Sequence, residues 1–152
     1  MTGAVPSDLP GAVLGLDPGD VRVGVAATDA SRTIATPIDS VARDPSSLWP
    51  RLLREARERE ARLVVVGLPR RLDGSEGEAA AGARALANEV AVRIGLPVVL
   101  WDERFTTVDA ERRLISAGLR RRRRRATVDA TAATLLLQSW LESPAARTAA
   151  AP

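Results

Sequence analysis

The side chains available for chemistry in this sequence are mainly carboxylates, hydroxyls and arginines. Histidine, cysteine, tyrosine and lysine are absent, so all 22 basic residues are arginine. This composition excludes zinc sites built from His and Cys, Ser-His-Asp and Cys-His catalysis, lysine Schiff bases and a lysine-bearing phosphate loop. Carboxylate oxygens remain, and hard cations such as Mg²⁺ or Mn²⁺ are their natural partners. If the protein is an enzyme, its reaction therefore depends on carboxylates, hydroxyls, arginines and a metal that the carboxylates hold.

Asp17 is the first candidate metal ligand. It follows the apolar segment Ala12–Leu16, which predicts a buried strand, and it precedes Pro18-Gly19, a pair that is typical of a tight turn. The turn leads into a second predicted strand, Val21–Thr28. An isolated Asp before Pro-Gly is more often a turn residue than a catalytic one. The other acidic positions decide between these two interpretations.

Glu103 and Asp129 are the other two candidates. Glu103, beside Asp102, follows a predicted strand at Pro97–Trp101, and active sites of α/β proteins lie at such strand ends. Asp129 is in the first turn of the last predicted helix, and Ala132-Ala133 would let that helix approach the sheet closely. Each also has a structural interpretation, as a solvated strand end or as a complement to the helix dipole. Three carboxylates at one edge repel one another unless a cation lies between them, an arrangement that suits two-metal phosphoryl transfer.

The elements that must position these carboxylates follow the order β-β-β-α-β-α-β-α-α. After the first two strands comes Thr33–Val41, where Pro37 lacks a ladder donor and therefore favours an edge strand. Three strands linked by short turns predict an antiparallel start to the sheet. Ser47 and Ser75 are predicted N-caps of the first two helices. The remaining predicted elements are a strand at Arg62–Gly67 and helices at Leu48–Glu60, Glu76–Ile94, Thr107–Ala117 and Val128–Glu142.

A chain of 152 residues with 45% hydrophobic residues suits one domain. We predict a flexible leader at residues 1–10, a single domain at residues 11–142 and a disordered tail at residues 143–152. The sequence shows neither an apolar segment of transmembrane length nor a signal-peptide pattern. Because cysteine is also absent, we expect a cytoplasmic protein with no membrane partner.

Four segments resemble, in order, the signature blocks of the YqgF/RuvX family, whose members are named pre-16S rRNA nucleases and described as Holliday-junction-resolvase-like. The segments are G-L-D-P-G-D-V-R-V-G-V-A-A-T-D, G-L-P-R-R-L-D-G-S-E-G, W-D-E-R-F-T-T and T-V-D-A-T-A-A-T-L-L-L-Q, within Val13–Trp140. The resemblance implies an α/β, ribonuclease-H-like fold: a five-stranded mixed sheet, with its first three strands antiparallel, flanked by helices. It also implies that the family's acidic residues are Asp17, Glu103 and Asp129. A contribution from Asp102 to the metal site stays open, because strand alternation should point it away from Glu103.

The predicted nucleic-acid-binding residues are all arginines. Arg22, Arg70 and Arg104 lie in the signature blocks near strand ends, where arginines can hold phosphates bidentately, although surface charge also explains them. The other six are consecutive: Arg120, Arg121, Arg122, Arg123, Arg124 and Arg125. The family usually has a mixed Lys/Arg loop there. Clustered like charges predict contact with phosphates, with a solvated loop as the competing interpretation.

The leading functional hypothesis is a metal-dependent nuclease that uses Mg²⁺ or Mn²⁺ and, as the resemblance implies, processes the 5′ end of pre-16S rRNA. One alternative is a resolvase of Holliday junctions or other branched DNA. Another is a non-catalytic nucleic-acid-binding factor in ribosome assembly, which would contact ribosomal particles. A sugar-kinase or chaperone-type ATPase also carries G-x-D-x-G after a strand, but it needs a second phosphate loop, and this chain has only one. The choice between monomer and homodimer stays open, since only a resolvase requires two-fold symmetry.

Overall fold

The computed structural model describes residues 11–106, 108–118 and 128–146, without the side chains of residues 108, 109, 128 and 129. The strands are β1 (Ala12–Pro18), β2 (Arg22–Thr28), β3 (Ala35–Ala42), β4 (Ala61–Leu68) and β5 (Val98–Asp102). The helices are α1 (Pro45–Glu58), α2 (Glu78–Ile94), α3 (Val108–Ser116) and α4 (Val128–Leu141), with a short 3-10 helix (Glu103–Phe105) after β5. The predicted leader and the run Arg120–Arg125 lie outside the described residues.

The five strands form one mixed sheet in the order β3-β2-β1-β4-β5. β1 pairs antiparallel with β2, and β2 with β3, whereas β4 runs parallel to both β1 and β5. This arrangement confirms the predicted mixed sheet with an antiparallel start. β3 is an edge strand, as Pro37 predicted, because a proline has no N–H to donate to a second neighbour. β1, which carries Asp17, lies at the centre.

Strand alternation divides the core into two layers, one on each face of the sheet. Leu14 and Leu16 of β1 pack with α1 and α2 on one face. Val13 packs on the other face with Ala133, Leu137 and Trp140 of α4. The buried strands β1 and β4 are therefore covered on both sides by helices, which explains their nearly continuous apolar sequences. By the same alternation, Asp17 falls on the α4 face.

Helix α4 lies unusually close to β1. A Cβ added at Gly15 would come within 2.9 Å of the Leu137 Cβ, a separation that real Cβ atoms do not tolerate. Ala133, on the same side of the helix, is fully buried. Small residues on both elements allow this approach, as the sequence predicted for Ala133.

The two predicted N-caps, Ser47 and Ser75, are wrong. α1 begins two residues before Ser47, at Pro45, because the fixed φ of proline suits the first helical position. Ser75 hydrogen-bonds to Asp73 instead: its backbone N and its Oγ donate to Asp73 Oδ1 at 2.8 and 2.6 Å. This local turn delays α2, which begins at Glu78.

The predicted tail is described in part. Residues 143–146 follow α4, and Ala146 is only 8% exposed because it packs into the core on the α4 side. Trp140 of α4 is fully buried in the same core layer. Residues 147–152 lie outside the description. None of the helices in the described ranges has the length and apolar character needed to cross a membrane.

Candidate active site

Asp17 and Glu103, which are 86 positions apart in the sequence, meet at one edge of the sheet. Asp17 lies near the end of β1, and Glu103 begins the 3-10 helix that follows β5. Their side chains are joined by a hydrogen bond. Both line a cleft of about 170 Å³, whose other lining residues come from Thr106 and from α4 (Ala132, Leu135 and Leu136). The structure therefore brings two of the three predicted ligands together.

The contact with Asp17 changes the acidity of Glu103. Burial, the hydrogen bond to Asp17 and the nearby negative charges of Asp17 and Asp102 raise the pKa of Glu103 from 4.5 to about 8. Without a cation, Glu103 therefore keeps its proton at neutral pH. A divalent cation can replace that proton, and a site made only of oxygen atoms suits Mg²⁺ or Mn²⁺. The carboxylate pair therefore fits the predicted metal.

Gly67, which the sequence analysis did not single out, provides the space for this pair. Leu16 of β1 pairs with Val66, and Gly67 pairs with Trp101 of β5, so Gly67 lies between the two strand ends. A Cβ at Gly67 would come within 2.8 Å of Glu103 Oε1 and 2.9 Å of Leu136 Cδ2. The available signal was a lone glycine within the apolar strand R-L-V-V-V-G-L, where glycine often marks a close approach.

Asp129, the third predicted ligand, belongs to α4, but its side chain is outside the description. Ala132, one helical turn further on, lines the cleft beside Asp17 and Glu103. Residues three apart share a helix face, so the backbone places Asp129 on the side of α4 that faces the cleft. Among the side chains that the structure describes, no three acidic groups are close enough to hold a metal ion.

Asp102 is not brought into contact with the carboxylate pair. It follows Leu100 on the α1 and α2 face of the sheet, opposite Glu103, as alternation predicted. Its carboxylate accepts hydrogen bonds from Arg104, with Nη2 to Oδ2 at 2.7 Å and the backbone N to Oδ1 at 2.9 Å. These bonds, first of all from the Arg104 side chain, lower the pKa of Asp102.

The predicted phosphate-binding arginines differ in their surroundings. Arg22 Nε donates to Ser40 Oγ at 2.8 Å and Nη2 to Ser40 O at 2.6 Å, so this side chain links β2 to β3. Arg70 lies 3.8 Å from Asp102 and 3.4 Å from Glu76, near the same strand ends as Arg104. The structure therefore places Arg70 and Arg104 together and Arg22 apart from them.

Comparison with known proteins identifies the family. The family model for RuvX, described as Holliday junction resolvase, matches residues 11–143. The chain belongs to the RuvX family. This confirms the resemblance found in the four sequence blocks and places the chain among nucleases.

Similar RuvX-family proteins carry the name "Putative pre-16S rRNA nuclease". The relative from Nocardioides sp. is 46% identical over 147 residues, which cover 93% of this chain and 94% of the relative. The relative from Pelotomaculum thermopropionicum is 44% identical over 133 residues, or 86% of each chain. Among solved structures, RuvC of T. thermophilus in complex with a Holliday junction substrate has a TM-score of 0.58 at 16% identity, covering 92% of this chain and 97% of RuvC. That likeness confirms the predicted ribonuclease-H-like fold.

In this RuvX-family protein, Gly67→Ala is expected to lower nuclease activity about 10- to 100-fold while the protein stays folded. The added methyl group displaces the Glu103 carboxyl, and displacements of about 1 Å cost factors of this size. Initial cleavage rates and circular dichroism spectra measure the two effects. Gly82→Ala is the matched control, because a Cβ there would meet only Arg43 Nη2, at 3.6 Å. Wild-type activity in Gly67→Ala would show that the close packing does not position Glu103.

Proposed function

We propose that this protein is a metal-dependent nuclease that hydrolyses phosphodiester bonds, with Mg²⁺ or Mn²⁺ held by Asp17, Glu103 and Asp129. The observation that carries the proposal is the hydrogen-bonded carboxylate pair in a cleft, with the pKa of Glu103 raised to about 8. Two adjacent ionised carboxylates repel each other without a cation, and a cation bound between them stabilises the ionised form of both. When bound, a pair of divalent ions in a site of this kind activates water and stabilises the leaving oxygen.

The chain's own residues have separate tasks in this mechanism. Asp17 is held at the end of the central strand β1, and the tight turn after it leaves the carboxylate open to the cleft. Glu103 would hold the metal as the deprotonated carboxylate, so it would have to release its proton for the metal to bind. Leu135 and Leu136 form an apolar wall beside the pair, which limits access of water from that side. Asp129 completes the ligand set from α4.

We propose the precursor of 16S rRNA as the substrate and processing of its 5′ end as the reaction. The names of the relatives at 44% and 46% identity support this substrate. Arg120–Arg125 would contact phosphates without reading sequence, and Arg70 and Arg104 would do so nearer the carboxylates. The protein would then act in the cytoplasm, on RNA in assembling ribosomal particles. Cleavage of branched DNA is the second candidate, because the family description names a Holliday junction resolvase.

The deciding experiment offers the protein a 5′-extended pre-16S rRNA fragment and a four-way DNA junction, each with Mg²⁺, with Mn²⁺ or with excess EDTA. We expect metal-dependent cleavage of the RNA, none of the junction, and no cleavage in EDTA. Symmetric cleavage of the junction alone would favour the resolvase. Tight binding of the RNA without cleavage in any metal would favour a non-catalytic assembly factor.

A further inference from the structure

Asp102 has contacts that the carboxylate pair does not explain. It is 9% exposed and, with Glu55, is one of two buried acidic residues among the side chains that the structure describes. Glu55 lies in α1 between Arg51 and Arg59, where pairing within the helix accounts for it. Asp102 instead lies at the functional edge of the sheet, immediately before Glu103. Burying a charged carboxylate costs folding free energy unless the carboxylate is paired and hydrogen-bonded, so the partners of Asp102 indicate why it is buried at this position.

The main partner of Asp102 is Arg104. Arg104 Nε donates to Oδ1 and Oδ2 of Asp102 at 3.1 and 3.0 Å, and Nη2 donates to Oδ2 at 2.7 Å. Within the described residues, the contact of Arg104 Nη1 is a long one, 3.5 Å, to the carbonyl of Leu72. The side chain is 33% exposed. Asp102 fixes the orientation of Arg104, and one of the two Nη1 N–H groups has no acceptor among the described residues.

The second partner is Arg70, at the end of β4. Its Nε lies 3.8 Å from Asp102 Oδ2, and its Nη2 lies 3.4 Å from Glu76 Oε2. That Nε is buried and has no hydrogen-bond acceptor within the described part of the chain. The side chain is 33% exposed, like that of Arg104. Asp102 therefore hydrogen-bonds to Arg104 and forms a longer ion pair with Arg70, and each arginine has a donor that no described residue accepts from. We name Arg70 and Arg104 the arginine fork.

The arginine fork and the carboxylate pair come from the same strand ends but from opposite faces of the sheet. Asp102 pairs with Leu68, which packs against α2, so strand alternation places Asp102 on the α1 and α2 face, whereas Glu103 lines the cleft beside α4. A nucleic-acid backbone that crosses this edge would present one phosphate to the carboxylate pair and a neighbouring phosphate to the fork. Arginine matches phosphate geometry bidentately, and a preorganised arginine loses less entropy on binding.

We propose that Asp102 is a positioning residue that holds Arg70 and Arg104 as a binding site for a phosphate next to the scissile one. This inference rests on the proposed nuclease function. Asp102 also keeps Arg104 from pairing with its neighbour Glu103, so the carboxylate pair stays free for the metal. Asp102 itself is not a metal ligand in this arrangement.

The test is equilibrium binding of fluorescein-labelled single-stranded RNA by the full-length protein in EDTA, measured by fluorescence anisotropy. Asp102→Asn is expected to raise Kd about tenfold, because one oxygen still caps the 3-10 helix but the charge that holds both arginines is lost. Asp39→Asn is the matched control. It removes another strand carboxylate that pairs with an arginine, Arg51 at 2.9 Å, on β3 at the opposite side of the sheet from β5, and should leave Kd unchanged.

A double-mutant cycle separates positioning from a general structural role. If Asp102 acts through the fork, Asp102→Asn adds nothing to the Kd of a variant that carries both Arg70→Ala and Arg104→Ala, and the Mn²⁺ concentration for half-maximal cleavage by Asp102→Asn stays that of wild type. Additive losses, an unchanged Kd in Asp102→Asn, or a shifted Mn²⁺ requirement would overturn the proposal. Should Asp102→Asn fail to fold, Arg104→Lys takes its place. Lysine keeps the positive charge but lacks the planar guanidinium that can bind a phosphate through two parallel hydrogen bonds. Because binding is measured without metal, a wild-type protein that binds but never cuts would refute the nuclease proposal alone.

Discussion

Asp17→Asn is expected to lower the rate of phosphodiester cleavage at least about 10³-fold, with RNA binding in EDTA unchanged. The substitution keeps the size of the side chain but removes a charge from the two described carboxylates that would hold the metal. Losses of this size follow removal of a group that stabilises charge in the transition state. The measurement is single-turnover cleavage of a pre-16S rRNA fragment in Mn²⁺, with anisotropy for binding.

The control for this prediction is Asp20→Asn. Asp20 is an exposed acidic residue close to Asp17, just beyond Pro18-Gly19. It should retain wild-type cleavage, since it does not line the cleft that contains Asp17 and Glu103. Equal losses in both variants would point to the overall charge of this segment. Cleavage that survives in Asp17→Asn, or in wild type with excess EDTA, would contradict the metal mechanism.

Affinity for Mn²⁺ is expected to rise about tenfold per pH unit between about pH 5 and pH 8 and then to level off. Glu103, with its pKa raised to about 8, must release a proton before it binds metal. Titration calorimetry in buffers of different ionisation enthalpy counts this proton directly. An affinity that is constant over this range would show that Glu103 is already ionised in the metal-free protein.

The same group makes the stability of the metal-free protein depend on pH. Between the unfolded pKa of 4.5 and the folded pKa of about 8, the folded state binds more protons than the unfolded state. The free energy of unfolding therefore falls as pH rises through this window, and this contribution is constant above it. Glu103→Gln removes the dependence. Thermal melts of wild type and Glu103→Gln in EDTA measure it, with Asp20→Asn as the variant that should keep the wild-type slope.

Several features of the fold are local in origin, which is why sequence patterns predicted them. The apolar run before Asp17 and the Pro18-Gly19 turn are properties of neighbouring residues. The missing N–H of Pro37 is a property of one residue and favours an edge strand, and β3 lies at the edge of the sheet. Period-2 alternation likewise predicted that Asp102 and Glu103 point to opposite faces. The two N-cap predictions were wrong for local reasons. The first helix begins earlier than Ser47, at Pro45, and Ser75 hydrogen-bonds to Asp73 in a turn before the second helix.

The sequence also limited the chemistry, since a chain without His, Cys, Tyr or Lys leaves carboxylates as its natural metal ligands. Tertiary structure decided which carboxylates meet. Asp17 and Glu103 touch because β4 pairs in parallel with both β1 and β5, and because Gly67 leaves room between them. The raised pKa of Glu103 and the pairing of Asp102 with two arginines depend on burial and on neighbours distant in sequence. Residue types and local spacing predict neither the raised pKa of Glu103 nor the partners of Asp102, because each arises only when strand register brings side chains that are distant in sequence together.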